Sequence, residues 1–455
     1  MEPWQQCIVG AGGRIYEVGG AVRDALLGRP VKDRDYLITA VPMPQITALL
    51  QPYGKVSLVG KSFGVIKFSP HQRPDLLLDL AIPRREVSTG VHHRDFNVAY
   101  DHTLPAEIDL ARRDFTINAM ARALDSGELL DPFGGRADLD ARVLRQVFPD
   151  AFPEDPLRML RAVQFAARFG LTIEPATLAS LRQHAALIRT VSAERIIEEI
   201  GKLFRAERPS QGFYLMAELG LLPHVFPELE ACRGVEQEKR QGDDVFHHTM
   251  RVLDAARSDS EIDHRGDLTL LFAALYHDVG KPQTKRFDPA EGRMTFFGHQ
   301  LVSRRIAKKQ LGALHVQMLG VDLKQVCRLV EHHMFETKAS FTEKAIRRFI
   351  NKVGPDLIAL LLDLRLADNR GGKYPAGIKG VLRLKARIQA ELAKKPPFGP
   401  KDLAITGHDL MTAGIPAGPQ MGAILKQLVD LCLDDPALNE KDRLLELAKG
   451  MGSAV

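Results

Sequence analysis

Through about residue 145, apolar residues fall in short runs that favour strands mixed with helices. Arg14–Val18 reads as a strand running into Gly19-Gly20, and Ala21–Leu27 as a helix stopped by Gly28-Arg29-Pro30. Leu76–Ile82 is a β-type run whose single acid, Asp79, has apolar neighbours, so burial would be costly for it. Residues 84–108 carry few apolar runs and read as a polar loop, with helical periodicity expected from near Asp114. From about Asp155 the pattern becomes almost wholly helical. In DPLRMLRAVQFAARFG, Leu157, Leu160, Val163 and Phe165 lie near one face and Gly170 closes the helix. ATLASLRQHAALI and AERIIEEIGKLF read as two further amphipathic helices. The polar stretch CRGVEQEKRQGDD marks a boundary near residues 232–244, and a helical region bearing His and Asp follows to about residue 372. GGKYPAGIKG and KKPPFGPKD read as connections before a last helical piece.

A chain of 455 residues is too long for one ordinary core and implies two to four domains. With 45% hydrophobic and 26% charged residues the composition is that of a soluble protein. No stretch has the apolar length of a membrane span, and the N-terminus lacks the pattern of a signal peptide. Cys7, Cys232, Cys327 and Cys432 lie far apart with no CxxC pair, so a reduced, cytoplasmic protein is expected. The net charge of +5 permits a nucleic-acid partner without requiring one.

The first chemical pattern is VGGAVRDALLGRPVKDRDY, residues 18–36. Asp33 and Asp35 alternate with Arg34, and alternate strand residues share a face, so both carboxylates can reach one hard cation or bridge two. Such a site can activate an attacking hydroxyl and stabilise departing pyrophosphate. Gly19-Gly20 at a helix start offers unobstructed backbone N–H groups as a phosphate seat, with Arg23 one turn on. Either feature alone is common on protein surfaces; the ordered combination GGxVRD, LLG and DxD is far less so.

These residues resemble the polymerase-beta-type nucleotidyltransferase superfamily and, within it, the class II CCA-adding enzymes and bacterial poly(A) polymerases. The resemblance continues in order through LARRDFTINAMA (110–121), DPFGGRADLDARVLR (131–145), EDPLRMLRAVQFAARF (154–169) and ERIIEEIGKLF (194–204). It implies that Asp33 and Asp35 bind catalytic Mg²⁺, with Asp79 as the third acid. It further implies that Gly19, Gly20 and Arg23 contact the triphosphate, that Arg113 holds phosphate, and that Asp114 and Asn118 sit near the ribose. Asp155 and Arg158 would read the Watson–Crick edge of CTP or ATP. A carboxylate there accepts from the exocyclic amine that cytosine and adenine share, and a guanidinium donates to ring nitrogen or carbonyl. As i,i+3 neighbours on a helix the two would be suitably placed. Family members often carry arginine where this chain has Gln164, which puts one nucleotide contact in doubt and leaves Arg161 and Arg168 nearby. The polar stretch 84–111 resembles the flexible loop of enzymes able to add the terminal A.

The second pattern is His248, then His277-Asp278 in LYHDVGKP, then His299, His332-His333 and Asp368. Imidazole and carboxylate suit a divalent metal such as Ni²⁺, Mn²⁺, Fe²⁺ or Mg²⁺. The set resembles the HD-domain phosphohydrolases. That implies a framework of His248, His277, Asp278 and Asp368, with His299 and one of His332 and His333 free to serve a second metal or a phosphate. Basic segments 304–310, 344–349 and 379–395 could neutralise RNA phosphates, although each also suits an ordinary solvated helix face.

The expected fold is α+β. A nucleotidyltransferase palm (1–145) is followed by a helical neck (146–230), an HD-type metal-binding domain (240–375) and a helical C-terminal region (376–455). The expected activity is template-independent addition of C, C and A to the tRNA 3′ end. An A-adding enzyme or a poly(A) polymerase shares the motifs. Readings of another class are an HD phosphohydrolase with a vestigial head and a tRNA-binding protein without chemistry; the intact Asp33/Asp35 and EDPLR elements argue against both.

Overall fold

The computed structural model describes residues 1–31, 34–59, 64–88, 96–237, 243–290, 292–372 and 376–452. It divides into two compact units. The first comprises Met1–Ala206 with Gln211–Val225, and the second Glu207–Ser210 with Phe226–Val455.

The first unit is built on a mixed seven-stranded sheet. Its strands are β1 (Arg14–Val18), β2 (Asp35–Thr39), β3 (Gly54–Val59), β4 (Val65–Pro70), β5 (Leu78–Ala81), β8 (Ala121–Ala123) and β9 (Leu129–Leu130). They lie in the order β3-β4-β5-β2-β1-β8-β9. Only β2 and β5 run parallel within the sheet, joined through β3 and β4. Strand alternation sorts the side chains onto two faces. Ile15, Tyr36, Ile38, Leu78 and Leu80 enter one buried cluster with Trp4 and Phe68. Tyr16, Val18 and Leu37 enter the other with Leu110 and Ala121. Asp79 therefore points away from the core that holds Leu78 and Leu80. Its side chain is 42% exposed and paired with Lys67, so the expected burial penalty does not arise.

Residues 84–108 depart from the expected loop. Arg84–Ser88 (β6) and Phe96–Tyr100 (β7) form an antiparallel hairpin, and Ala106–Ala111 is a helix. The alternation in RREVS and FNVAY is too short to stand out in a polar stretch, and cross-strand pairing supplies what local pattern does not. Residues 89–95, in the stretch expected to serve addition of the terminal A, lie outside the described residues. The helical periodicity expected from Asp114 is also not realised. A 3₁₀ turn at Thr116–Asn118 leads straight into β8, because Ala119, Ala121 and Ala123 complete the apolar face over β1.

Helices follow as expected at Leu157–Phe169, Pro175–His184 and Ala193–Leu203. In the second unit Leu268–Tyr276 is the central helix, with every residue from Leu270 to Tyr276 buried. Val245–Ser258, His299–Ala313, Leu323–His332 and Ile358–Gly371 surround it. Part of the expected connection GGKYPAGIKG is instead helical, since Ala376–Ala393 forms one long helix. The last three helices pack around Leu410, Leu428, Cys432, Leu444 and Ala448. All four cysteines are free thiols. No helix among the described residues is long and apolar enough to cross a membrane.

Candidate active site and metal centre

In the first unit, β2 begins at Asp35, whose register partner on parallel β5 is Asp79. Register partners share a sheet face, so the two carboxylates stand side by side on neighbouring strands. Lys67 is opposite Asp79 on β4, with its Nζ 3.0 Å from Asp79 Oδ1. Asp33 lies outside the described residues; Asp35 is exposed.

Gly19 adopts a left-handed conformation (φ 68°) between β1 and the helix Gly20–Leu26. A Cβ there would overlap the Arg113 Nη1 atom, so glycine is required both by backbone geometry and by the guanidinium lying against it. Gly19 spends its N–H on the Met120 carbonyl at 3.1 Å, so it does not offer the donor expected of it. Gly19→Ala is expected to destabilise the first unit by roughly 1–2 kcal/mol and to displace Arg113. Denaturant unfolding and the KM for nucleotide would register the two effects.

Arg23 is buried rather than extended toward solvent. Its Nη1 donates to Asn118 Oδ1 (2.6 Å), its Nε and Nη2 donate to Asp24 (2.9 and 2.7 Å), and its guanidinium lies 4.6 Å from the Phe169 ring centroid. Burial lowers its pKa, and Asp24 counters the shift. Asn118 passes the connection on by donating to Asp114 Oδ1 at 2.9 Å. Asp114 also accepts from the Phe115 N–H and from Arg161 Nε, at 2.8 and 2.7 Å. Burial alone would raise the Asp114 pKa, but the Arg161 charge and these hydrogen bonds outweigh it, so the carboxylate is held below its ordinary range. Behind Arg161 stands buried Glu199, 3.7 Å from Arg161 Nη1 and 2.8 Å from Lys202. The residues expected near phosphate and ribose are thus joined into one chain, Arg23–Asn118–Asp114–Arg161–Glu199. Arg113 joins from the side, donating to Asp109 Oδ2 (3.2 Å) and to the Asn118 carbonyl (3.3 Å). Asp109 is held ionised: burial raises its pKa, but the charges of Arg113 and Arg112 more than offset this.

Asp155 and Arg158 do not share one helix. Asp155 follows the short helix Ala151–Glu154 in an extended conformation, and Pro156 stands at the head of the helix that carries Arg158. A residue preceding proline is pushed out of the helical region. The expected i,i+3 geometry is replaced by separate anchoring. Asp155 Oδ2 accepts from Arg195 at 2.8 Å, while Arg158 donates to the carbonyls of Ala151 (3.2 Å) and Arg112 (2.9 Å). Arg195 and Glu199 lie in the ERIIEEIGKLF motif, and their parts in this network depend on contacts no local pattern reveals. Gln164 is 1% exposed and accepts from Arg168 at 2.9 Å, so this position lies inside the helix packing.

The second unit gathers its site from five segments. His248 lies within Val245–Ser258, His277 and Asp278 at the end of the central helix, and His299 opens its own helix. His333 closes Leu323–His332, and Asp368 lies in Ile358–Gly371. Each imidazole has Nδ1 against a backbone carbonyl: His248 on Gly371 (3.3 Å), His277 on Ala274 (2.7 Å), His299 on Phe296 (2.8 Å) and His333 on Val330 (2.7 Å). With Nδ1–H donated outward, Nε2 carries the lone pair and faces inward. The Nε2 atoms of His248 and His277 are 3.4 Å apart, and those of His299 and His333 are 3.2 Å apart.

Asp278 stands between the two pairs. Its Oδ2 is 3.2 Å from His277 Nε2, and its Oδ1 is 3.2 Å from His299 Nε2. Asp368 Oδ1 is 3.0 Å from His248 Nε2. Two groups able to hold a metal ion result, His248–His277–Asp368 and Asp278–His299–His333, with all six residues buried. Burial pushes the His333 imidazole down to about 4 against the opposing Asp278 hydrogen bond, keeping it in the neutral form a metal requires. Four neutral imidazoles and two carboxylates converging in a buried space fit divalent metal ions well. The sequence left His332 and His333 as alternatives. The structure brings His333 to the cluster and leaves His332 partly exposed outside the two groups.

Lys281, within the HDVGKP stretch but not singled out, donates to Asp278 Oδ2 (2.6 Å) and Gln237 Oε1 (2.9 Å). Arg365 donates to Asp368 Oδ2 at 3.0 Å. Gly280 lets the helix of His299 approach: a Cβ there would lie 2.6 Å from Ser303 N. Two of the three basic segments prove to be structural over much of their length. Arg347 is buried against Glu391, Arg348 and Lys344 pair with Asp434, and Lys385 pairs with Asp263 and Asp363.

Comparison with known proteins accords with this geometry. Residues 15–145 match the model of the poly A polymerase head domain, and 170–233 one described as "Probable RNA and SrmB-binding site of polymerase A". Residues 245–370 match the HD domain, and 324–448 a model for tRNA nucleotidyltransferase domain 2. A multifunctional CCA protein of Nitrosococcus oceani is 41% identical over 399 residues, 84% of this chain and 92% of its own length. One from Chromobacterium violaceum is 36% identical over 365 residues, 78% and 84% of the two chains. The crystal structure of the Bacillus stearothermophilus CCA-adding enzyme in complex with CTP is similar in fold, with a TM-score of 0.70 at 23% identity. It covers 100% of this chain and 99% of that one. The Thermotoga maritima CCA-adding enzyme complexed with tRNA gives a TM-score of 0.58 at 21% identity, covering 99% and 96%.

Proposed function

This chain belongs to the multifunctional CCA protein family, and from that premise we propose that it adds C, C and A to the 3′ end of tRNA, taking CTP and ATP and releasing pyrophosphate. The observation that carries this reading is the in-register pair Asp35 and Asp79 beside the Gly19 turn. We assign nucleotidyl transfer to residues 1–145, base reading to 146–230, metal-dependent hydrolysis to 240–375 and a helical C-terminal region to 376–455. We further propose that a protein acting on tRNA works in the cytoplasm.

Asp33, Asp35 and Asp79 are the residues we assign to Mg²⁺. When bound, the ion neutralises phosphate charge and makes the tRNA 3′-hydroxyl a better nucleophile toward the α-phosphate. Arg113, held by Asp109 beside the Gly19 turn, presents its guanidinium to the triphosphate. Asp114 and Asn118 face the ribose, kept in place by Arg161 and Arg23. Asp155 and Arg158 select the base, and their separate anchors hold each at a fixed height. Asp155 retains lone pairs for an exocyclic amine, and Arg158 retains N–H groups for a ring nitrogen or carbonyl. Guanine and uracil present a carbonyl to Asp155, acceptor against acceptor. Arg158→Ala is expected to narrow discrimination for CTP and ATP over UTP and GTP by about tenfold or more. The ratio of kcat/KM values measures it, and an unchanged ratio would remove these residues from base reading.

The buried cluster of four histidines and two aspartates supports a second activity on the same chain, hydrolysis of phosphoesters such as a 2′,3′-cyclic phosphate at a damaged RNA end. His248, His277 and Asp368 would hold one metal and Asp278, His299 and His333 another, with Ni²⁺, Mn²⁺, Fe²⁺ or Mg²⁺ as candidates. Such ions supply a nucleophilic oxygen at neutral pH and polarise the phosphoester. Lys281 and Arg365 place positive charge at the pocket wall, where a phosphate would sit.

A further inference from the structure

The pocket that opens onto the histidine cluster has two chemically different parts. Its floor and walls include Asp278, His299, His333, Lys281, Arg365 and Asp368. Its mouth is apolar: Phe297 is 77% exposed, Met334 53% and Met294 40%. A phenylalanine this open to water is costly to maintain, and here it stands beside exposed thioethers rather than alone. The backbone fixes its position. Phe297 lies between the strand Arg293–Thr295 and His299, whose Nδ1 is on the Phe296 carbonyl, and Gly298 makes the left-handed turn that starts the helix of His299. The exposed ring is therefore two residues from a metal-ligating imidazole. Its neighbour Phe296 is used differently, with Lys281 Nζ 5.5 Å from its ring centroid. Across the hairpin Met294 is the register partner of Phe287, itself 58% exposed, so the apolar strip continues outward from the mouth.

A pocket of about 570 Å³ whose interior offers Lys281, Arg365 and the candidate metal ligands, and whose mouth is apolar, suits a ligand with an anionic end and a planar, weakly polar end. Inorganic phosphate, pyrophosphate or a sugar phosphate would leave the mouth unused. A nucleotide fills both parts. We propose that Phe297, with Met294 and Met334, is a base-stacking platform that makes this pocket selective for nucleotide phosphoesters over phosphoesters lacking a base. The proposal rests on the phosphohydrolase reading of the same site. Phe297 acts as a specificity residue: it takes the base face, while the phosphate lies between Lys281 and Arg365.

The test uses the full chain and compares wild type, Phe297→Ala and Phe297→Trp. Calorimetric titration with adenosine 3′-monophosphate and with glycerol 2-phosphate reads binding. Hydrolysis of adenosine 2′,3′-cyclic phosphate reads KM and kcat. Phe297→Ala should weaken the nucleotide about tenfold and raise KM by a similar factor at unchanged kcat, with glycerol 2-phosphate unaffected. Phe297→Trp should restore nucleotide binding. Phe297 belongs wholly to the second unit and is exposed, so the difference on substitution reports this pocket and not the fold. Nucleotide binding that is absent, or indifferent to Phe297→Ala, overturns the proposal. Binding that depends on Phe297 without hydrolysis of any phosphoester would instead sink the hydrolase reading and leave the platform standing.

Discussion

Replacing Asp35 by alanine is expected to lower nucleotide incorporation into tRNA by about 10³-fold or more, with the fold intact. Asp35 opens β2 with its side chain exposed, so its loss removes no core packing. On the proposed assignment it does remove a metal ligand, and the remaining carboxylates cannot recreate the geometry needed to neutralise a triphosphate. Single donors aimed at developing charge are commonly worth 10²–10³-fold, and a metal ligand is worth at least as much. Asp79 is a weaker substitute because Lys67 already compensates its charge at 3.0 Å. The loss should fall on kcat, since the base and triphosphate contacts of Asp155, Arg158 and Arg113 remain. Phosphoester hydrolysis by the second unit should be unchanged in the same variant. A single-turnover assay of Asp35→Ala beside a hydrolysis assay separates the two activities. Incorporation within tenfold of wild type would exclude Asp35 from metal binding.

The second large effect concerns Asp278. Its two oxygens face different histidines, His277 on one side and His299 on the other, so one substitution removes a carboxylate that touches both halves of the cluster. Asp278→Ala should reduce bound metal to less than one ion per chain and remove phosphoester hydrolysis, leaving CCA addition within a fewfold of wild type. It also leaves buried Lys281 with Gln237 as its remaining hydrogen-bond partner of the two, at a cost of several kcal/mol typical of a broken buried pair. Metal analysis of the purified variant and its denaturation midpoint read the two consequences. Asp278→Asn, which keeps the volume and one oxygen, should retain more stability than alanine yet still lose metal. Full metal content in either variant would contradict the assignment.

Much of the second cluster was legible because its members announce themselves by type: one His-Asp dipeptide says little, and another stands at His408-Asp409, but the ordered set reads as metal chemistry. The choice between His332 and His333 was not legible, because it depends on how the end of Leu323–His332 is rotated in the packed unit. The exposed mouth at Phe297 was invisible for the same reason, since a phenylalanine in sequence reads as core. In the first unit, strand alternation predicts that Asp33 and Asp35 share a face; Asp33 lies outside the described residues, and β2 begins at Asp35. The partnership of Asp79 with Lys67 was not legible, because cross-strand register joins residues whose spacing carries no signal. Arg23 reads as a phosphate contact and Arg161 as a residue near the nucleotide; the sequence does not reveal that Arg23 donates to Asn118 and Arg161 to Asp114. The helix across Asp155 and Arg158 failed at Pro156, whose effect on its predecessor was there to be read. Basic segments that suit either RNA phosphates or an ordinary solvated helix face are in good part ion-paired within the fold, as with Arg347 and Glu391.

The most direct measurement is incorporation onto three transcripts of one tRNA, ending before the CCA, after the first C and after the second C, each given CTP, ATP or both. Completion of all three to CCA and no further, lost in Asp35→Ala, is the result expected here. Extension of the CC-ended transcript alone, or long A tails on unrelated RNA, would contradict it.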